Sequence, residues 1–145
     1  MPAKQKTIRG TSGQQNDLAK LLLRATLAIL ILMHGVAKLV GGVGFVTGML
    51  AKMGLPPAVG YLVYVGEVLA PLLVLLGIWT RPAAAVIAVN MIVAVLLVHT
   101  GQFFTRSSTG GWALELQAMF FIAALVVAMQ GAGRYSLAGG NGKWN

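Results

Sequence analysis

One carboxylate stands inside a long apolar run, and this position makes it the first candidate for chemistry. Glu67 is the only charged residue between Leu62 and Ile78. A charge near the middle of a membrane-length helix costs roughly 2.5–3.5 kcal/mol, unless it is paired, protonated or facing a polar cavity. Pro71 follows four residues later and has no N–H, so the Glu67 carbonyl loses its usual partner within the helix. One helical turn therefore offers a carboxyl group and a free backbone acceptor.

Other side chains that could bind a ligand or move a proton recur at helical spacing. His34 and Lys38 are four residues apart and share a helix face, as do Tyr64 and Glu67, which are three apart. Two more titratable residues stand at the ends of later apolar runs: His99 and Glu115. Two histidines and two acids could also bind a metal, but no H-x-x-x-H or E-x-x-H spacing is present, so we predict no metal site.

The elements that position these residues are four apolar stretches of membrane-spanning length. They cover residues 18–40, 58–79, 82–99 and 112–130. Each is about 27–35 Å long as a helix, which matches a bilayer core. The hydrophobic content of 57% and mean hydropathy of +0.81 are too high for an ordinary soluble domain. No sustained strand-like alternation is present, so we predict an all-α, membrane-embedded four-helix bundle.

The segments around these helices are assigned from composition. We predict one membrane domain over 18–137, a flexible cytoplasmic tail at 1–17 and a second flexible tail at 138–145. Asp17 is interpreted as the cap of the first helix. Between helices 1 and 2, apolar residues at helical spacing over 45–53 predict a short helix at the outer membrane surface.

The distribution of basic residues predicts the orientation in the membrane. The net charge is +8, and the basic residues lie at the ends of the apolar segments, so they predict topology and no nucleic-acid site. One side of the bundle would hold eight of them, and the other side only Lys38, Lys52 and Arg106. The positive-inside rule then places both termini in the cytoplasm.

This topology gathers the candidate residues in the outer half of the bundle. Helix 1 runs outward and helix 2 inward, so Lys38 falls in the outer third and Glu67 near mid-depth. We therefore predict a candidate polar pocket with these members: Glu67, His34, Lys38, Tyr64, His99 and Glu115. Asn90 is nine positions from His99, which puts the two on opposite faces of a straight helix, so we interpret Asn90 as an interhelical hydrogen bonder outside the pocket.

The ion-pair partner of Glu67 stays open between two bases. Lys38 matches it in depth, but Arg24 lies 14 positions from Lys38, which leaves only about 40° between their directions on helix 1. A purely architectural interpretation also stays open. Lys38–Glu67 or Arg24–Glu67 could join helices 1 and 2, and His99–Glu115 could join helices 3 and 4.

Several short motifs, in their order and spacing, make the chain resemble the DoxX family of small bacterial four-helix membrane proteins, related more distantly to MauE-like proteins. The resemblance covers residues 21–137 and rests on Arg24, His34-Gly35-x-x-Lys38, Gly54-Leu-Pro56, Glu67, Gly77-x-x-Thr80-Arg81, His99, Gly110-Gly111-x-x-x-Glu115 and Gly131-x-Gly-Arg-x-Ser136. The family often has an acid after this last motif, where Ala138 stands here. The resemblance implies a bacterial inner-membrane protein. Some family members are subunits of a thiosulfate:quinone oxidoreductase, and others are linked to oxidative-stress complexes.

Two functional hypotheses remain after the sequence. The first is a redox-associated membrane subunit that binds a quinone. With no cysteine and no recognisable flavin or haem motif, the chain would need a redox partner protein and would be at most a subunit of a membrane oxidoreductase. The second is a non-enzymatic membrane protein: a small transporter, a lipid or cargo binder, or an assembly factor. Transport would require a homo-oligomer, since one chain has too few helices for a usual inverted-repeat transporter.

Overall fold

The computed structural model describes the backbone of residues 2–145 and the side chains of residues 12–145. Helices make up 72% of the chain, and no strand occurs in this described part. Its α-helices are α1 (Pro2–Gly41), α2 (Gly44–Lys52), α3 (Ala70–Leu76), α4 (Thr80–Val98) and α5 (Glu115–Gln130). The predicted all-α helical bundle is confirmed.

Three helical segments of the described chain are long and apolar enough to cross a membrane. They are Ser12–Gly41, Pro57–Leu76 and Thr80–Val98. The fourth predicted span is the shorter α5, whose 16 residues extend about 24 Å. Large apolar side chains such as Val40 and Met129 are more than 70% exposed, which suits a surface that faces lipid.

The second apolar segment differs from the continuous helix that its sequence predicts over 58–79. It begins as a 3-10 helix at Pro57–Leu62, passes through a π-helical turn at Val65–Leu69, and continues as the α-helix α3. In the π turn, the Ala70 N–H donates to the carbonyl five residues earlier. Pro71 explains the change, because its ring would clash with the carbonyl of residue 67 in a regular α-helix.

The core of the bundle is a ring of four helical elements. α1 packs against α3 and α5, and α4 packs against the same two, while the backbones of α1 and α4 do not come close within the described residues. Small side chains in the core allow close approach of the helices. They include Ala28, Ala70, Ala83, Ala84, Ala88 and Ala124.

The chain ends lie closer to the bundle than the predicted flexible tails. Asp17 lies inside α1 and is not its cap, and its carboxylate accepts the backbone N–H of Arg134 at 3.3 Å. Asn145 is buried and its side-chain oxygen accepts the Thr80 hydroxyl at 3.0 Å. The side chains of residues 1–11 lie outside the described residues, so the tail predicted at 1–17 and the domain bounds stay predictions.

Candidate functional site

A cavity of about 610 Å³ lies in the half of the bundle that contains His99. Its volume falls within the range of small-molecule sites, roughly 300–1,000 Å³. Five elements surround it: α1, α2, the segment 57–67, α4 and α5. Most lining side chains are aliphatic. The polar and titratable ones are His34, Lys38, Glu67, Asn90, His99 and Gln117.

Glu67 is paired with Lys38 at one side of this cavity. The Lys38 Nζ lies 2.5 Å from Glu67 Oε2, and the side chains of Lys38 and Glu67 are 28% and 8% exposed. Glu67 Oε1 accepts a longer hydrogen bond of 3.4 Å from Asn90 Nδ2. Both carboxylate oxygens therefore have a partner. We call Lys38, Glu67 and Asn90 the polar floor of the cavity.

Two glycines allow the three floor residues to meet. A Cβ at Gly35 would overlap the carbonyl oxygen of Glu67, so only glycine lets α1 approach the π turn here. Lys38 then lies about one helical turn further along α1, within reach of the carboxylate. A Cβ at Gly66 would lie 2.5 Å from the side chain of Asn90. Each partner of Glu67 thus depends on a neighbouring position without a side chain.

Arg24, the other base considered as a partner of Glu67, forms its hydrogen bonds with backbone carbonyls instead. Its guanidinium is buried and donates to the carbonyls of Val74 at 2.8 Å and Leu75 at 2.6 Å, and to the carbonyl of Tyr135. The last carbonyls of a helix have no partner within that helix, so the end of α3 is a strong acceptor site. The structure therefore places Arg24 away from Glu67.

Two predicted pocket members do not line the cavity. Tyr64 turns its hydroxyl to the Lys38 carbonyl at 3.1 Å, so it contacts the backbone of a floor residue and not the cavity. Glu115 is exposed at the start of α5, and its carboxylate lies against Gly111. The expectation for Glu115 is wrong because α5 begins at this residue, which leaves its side chain at the surface beside the preceding loop.

His99 and Asn90 line the same cavity, although nine helical positions predict opposite faces. His99 is the C-cap of α4 with φ −119°, so the helical rotation of 100° per residue stops before it. Its Nδ1 lies 3.0 Å from Gln102 Oε1, and its Nε2 lies 3.3 Å from Gln117 Nε2. The imidazole tautomer with the proton on Nδ1 satisfies both contacts.

His34 and Gln117 complete the polar lining. His34 is exposed towards the cavity, and its ring meets that of Phe120 edge-on at 6.2 Å between centroids. The sequence prediction does not include Gln117. Its only signal is an amide inside an apolar run.

The comparison with known families agrees with this architecture. The DoxX family model matches residues 19–100, more than half of the chain. The chain belongs to the DoxX family. It is also 30% identical over 118 residues to an uncharacterized protein of Haemophilus influenzae, a match that covers 79% of this chain and 84% of that relative. No solved structure matches the chain.

The polar floor of this DoxX-family chain combines three chemical properties. The ammonium of Lys38 and the amide of Asn90 can donate hydrogen bonds, and the Glu67 carboxylate can accept a proton. Within residues 12–145, no group of three or more His, Asp or Glu side chains could hold a metal ion. The floor and the aliphatic walls suit an apolar molecule with a small hydrogen-bonding head.

Proposed function

We propose that this membrane protein binds a quinone in the cavity, with the quinone head against the polar floor, and acts as one subunit of a membrane redox system. The observation that carries the proposal is the position of the floor. Lys38, Glu67 and Asn90 form the polar side of a cavity that is otherwise mostly aliphatic, within membrane-length helices.

The chemistry of a quinone matches these groups. Its carbonyl oxygens accept hydrogen bonds, which the Lys38 ammonium and the Asn90 amide can donate. The Asn90 contact with Glu67 is long, at 3.4 Å, so its amide can turn to a ligand at little cost. Reduction of a quinone to a quinol takes up two electrons and two protons. His34 and His99 are cavity residues that can supply protons, and Glu67 can relay them to the head.

The electrons must come from another protein. The chain contains no cysteine, so it cannot carry a dithiol relay, and it would act at most as a subunit of an oxidoreductase. We place this subunit in the bacterial inner membrane with both termini in the cytoplasm. The support is the charge asymmetry, because Arg24, Arg81 and Arg134 belong to the end of the bundle opposite His99.

Extraction of the purified protein tests quinone binding. The full chain and the variants Glu67→Gln and Asn90→Leu are purified in mild detergent, and their lipids are extracted and separated by chromatography. We expect wild type to retain quinone well above its share of total membrane lipid, and both variants to retain at least tenfold less. Glu115→Gln is the matched control, since this carboxylate lies outside the cavity, and it should retain as much as wild type.

The result that rejects the proposal is wild-type protein with no more quinone than an unrelated membrane protein prepared in parallel. Size-exclusion profiles of each variant separate loss of binding from loss of folding. Asn90→Leu serves where Glu67→Gln aggregates, because it removes a hydrogen-bond donor and leaves the ion pair in place.

A second candidate function is a non-enzymatic lipid or cargo binder. It is favoured by the internal neutralisation of the floor, since Lys38 and Glu67 balance each other's charge without a ligand. The same extraction distinguishes the two functions. Enrichment of a phospholipid or another lipid in place of quinone, with no effect of Glu67→Gln on quinol-linked reduction in membranes, would support this binder.

A further inference from the structure

The cavity connects to the outside through a gap in the side of the bundle. Eight apolar lining residues are 39–66% exposed, and five of these face each other from residues 62–65 and 86–93, where the cavity reaches the surface. The five are Leu62, Val65, Val86, Val89 and Val93. We call these five residues the side window.

The side window has closed ends and an open middle. The π turn packs against α4 at the end near the polar floor, and α2 touches α4 at the other end. Between these contacts, the backbones of the 3-10 segment Pro57–Leu62 and α4 do not come close to each other in the described part of the chain. At this place the cavity is bounded by side chains of the window and not by close backbone packing.

The position of the side window along α4 indicates which part of a bilayer it would face. On α4, which spans Thr80–Val98, Val86 lies about 9 Å from one end and Val93 about 7.5 Å from the other. The window thus opens near the middle of a membrane-length helix, at the level of the hydrocarbon core. All its edge residues are aliphatic, so it faces lipid chains and not water.

We infer that the cavity takes its ligand sideways from the bilayer, and that this ligand is an amphiphile whose small head lies on the polar floor while its long apolar chain leaves through the side window. The identity of the head rests on the quinone proposal. The chain adds little affinity, because lipid tails are as apolar as the window edge. The window acts sterically: it gives the apolar chain of the ligand a way out of the cavity, so that the head can reach the polar floor.

A tail-length comparison tests this inference. The full chain is placed in nanodiscs of quinone-free phospholipid, and binding of two radiolabelled benzoquinones is measured, one with a decyl chain and one with a methyl group at the same position. In Val89→Trp, which narrows the window, we expect the decyl compound to bind at least tenfold more weakly and the methyl compound to change less than twofold. Ile122→Trp is the control, since Ile122 is 53% exposed on α5 and lies outside the cavity lining.

The outcomes separate the side window from the proposed function. Binding of both compounds to wild type, with no effect of Val89→Trp on the decyl compound or an equal effect on both, overturns the window and leaves quinone binding intact. No binding of either compound to wild type overturns quinone binding. A change of oligomeric state in Val89→Trp would show that a second copy covers the gap, which also overturns the inference. Val93→Phe provides a second obstruction at the same edge where Val89→Trp does not fold.

Discussion

Removal of either partner of the Lys38–Glu67 pair should destabilise the protein, and the two removals should differ in size. In Lys38→Met, the carboxylate of Glu67 remains in a site where its side chain is 8% exposed, with only the 3.4 Å contact from Asn90. In Glu67→Gln, the remaining ammonium belongs to a side chain that is 28% exposed and has a long flexible stem. Such a lysine can move its charge towards water or head groups, whereas the carboxylate cannot.

The expected costs follow from this difference in exposure. Breaking a buried pair by removal of one partner costs about 3–5 kcal/mol when the other charge stays buried. An acid left without a partner at the centre of a membrane helix carries a penalty of roughly 3 kcal/mol, and we expect Lys38→Met to cost about as much. For Glu67→Gln we expect about 1–1.5 kcal/mol, the net value of the lost hydrogen bond. The double variant should resemble Glu67→Gln, because it leaves no charge unpaired, so the coupling between the two residues should equal the cost of Lys38→Met, about 3 kcal/mol.

The free energy of unfolding of all four proteins can be measured by SDS titration in mixed micelles, followed by circular dichroism. Arg106→Met is the control, because this exposed basic side chain has no ion-pair partner within 12–145 and should change stability by less than about 0.5 kcal/mol. If the two single variants lose equal free energy of unfolding, or if Glu67→Gln loses more, the reasoning is wrong that a buried carboxylate without its partner costs more than a half-exposed ammonium.

Three further predictions concern packing, a buried cation and backbone strain, and the same unfolding assay checks each. Gly35→Ala should cost at least about 1–3 kcal/mol because the new methyl group overlaps the Glu67 carbonyl, whereas Gly41→Ala meets open space and should be neutral or slightly stabilising. Arg24→Ala should lower the free energy of unfolding by about 3 kcal/mol or more, since three backbone carbonyls lose a charged donor. Arg24→Lys should restore only part of this stability, because a single ammonium cannot reproduce the several N–H donors of the planar guanidinium. Trp79→Gly should be about 1 kcal/mol more stable than Trp79→Ala, because residue 79 has a left-handed backbone with φ 48°; equal stabilities would contradict this.

The long elements follow from the sequence because run length and hydropathy act locally. The apolar stretch 82–99 corresponds closely to α4, whereas 18–40 matches only the end of α1, which begins at Pro2 and ends at Gly41. The break within 58–79 is only partly predictable. Pro71 predicts from the sequence that one backbone N–H is missing. The π turn that accommodates this proline also depends on its packing against α1 and α4, and that packing is set by the tertiary fold.

The candidate site could also be predicted from the sequence only in part. Depth favours Lys38 as the partner of Glu67, but the rotation about helix 1 leaves Arg24 possible. In the structure, the carbonyls at the end of α3 accept hydrogen bonds from the Arg24 guanidinium, which leaves Lys38 as the partner of Glu67. The position of this helix end depends on Gly77, which has the left-handed conformation. Glu115 fails as a pocket member because its direction depends on the irregular loop before α5, where no periodic pattern applies.

The distribution of acids limits how the cavity can handle charge. Of the three acidic residues in the chain, Asp17 accepts the backbone N–H of Arg134 and Glu115 is exposed, so Glu67 carries the one carboxylate that lines the cavity within the described residues. A neutral head can accept a hydrogen bond from Lys38 while the ion pair stays whole. A negatively charged head would compete with Glu67 for the same ammonium, and two anions beside one cation in a low-dielectric site repel strongly. The pairing of Lys38 with Glu67 therefore favours a neutral head over a negatively charged one on the polar floor.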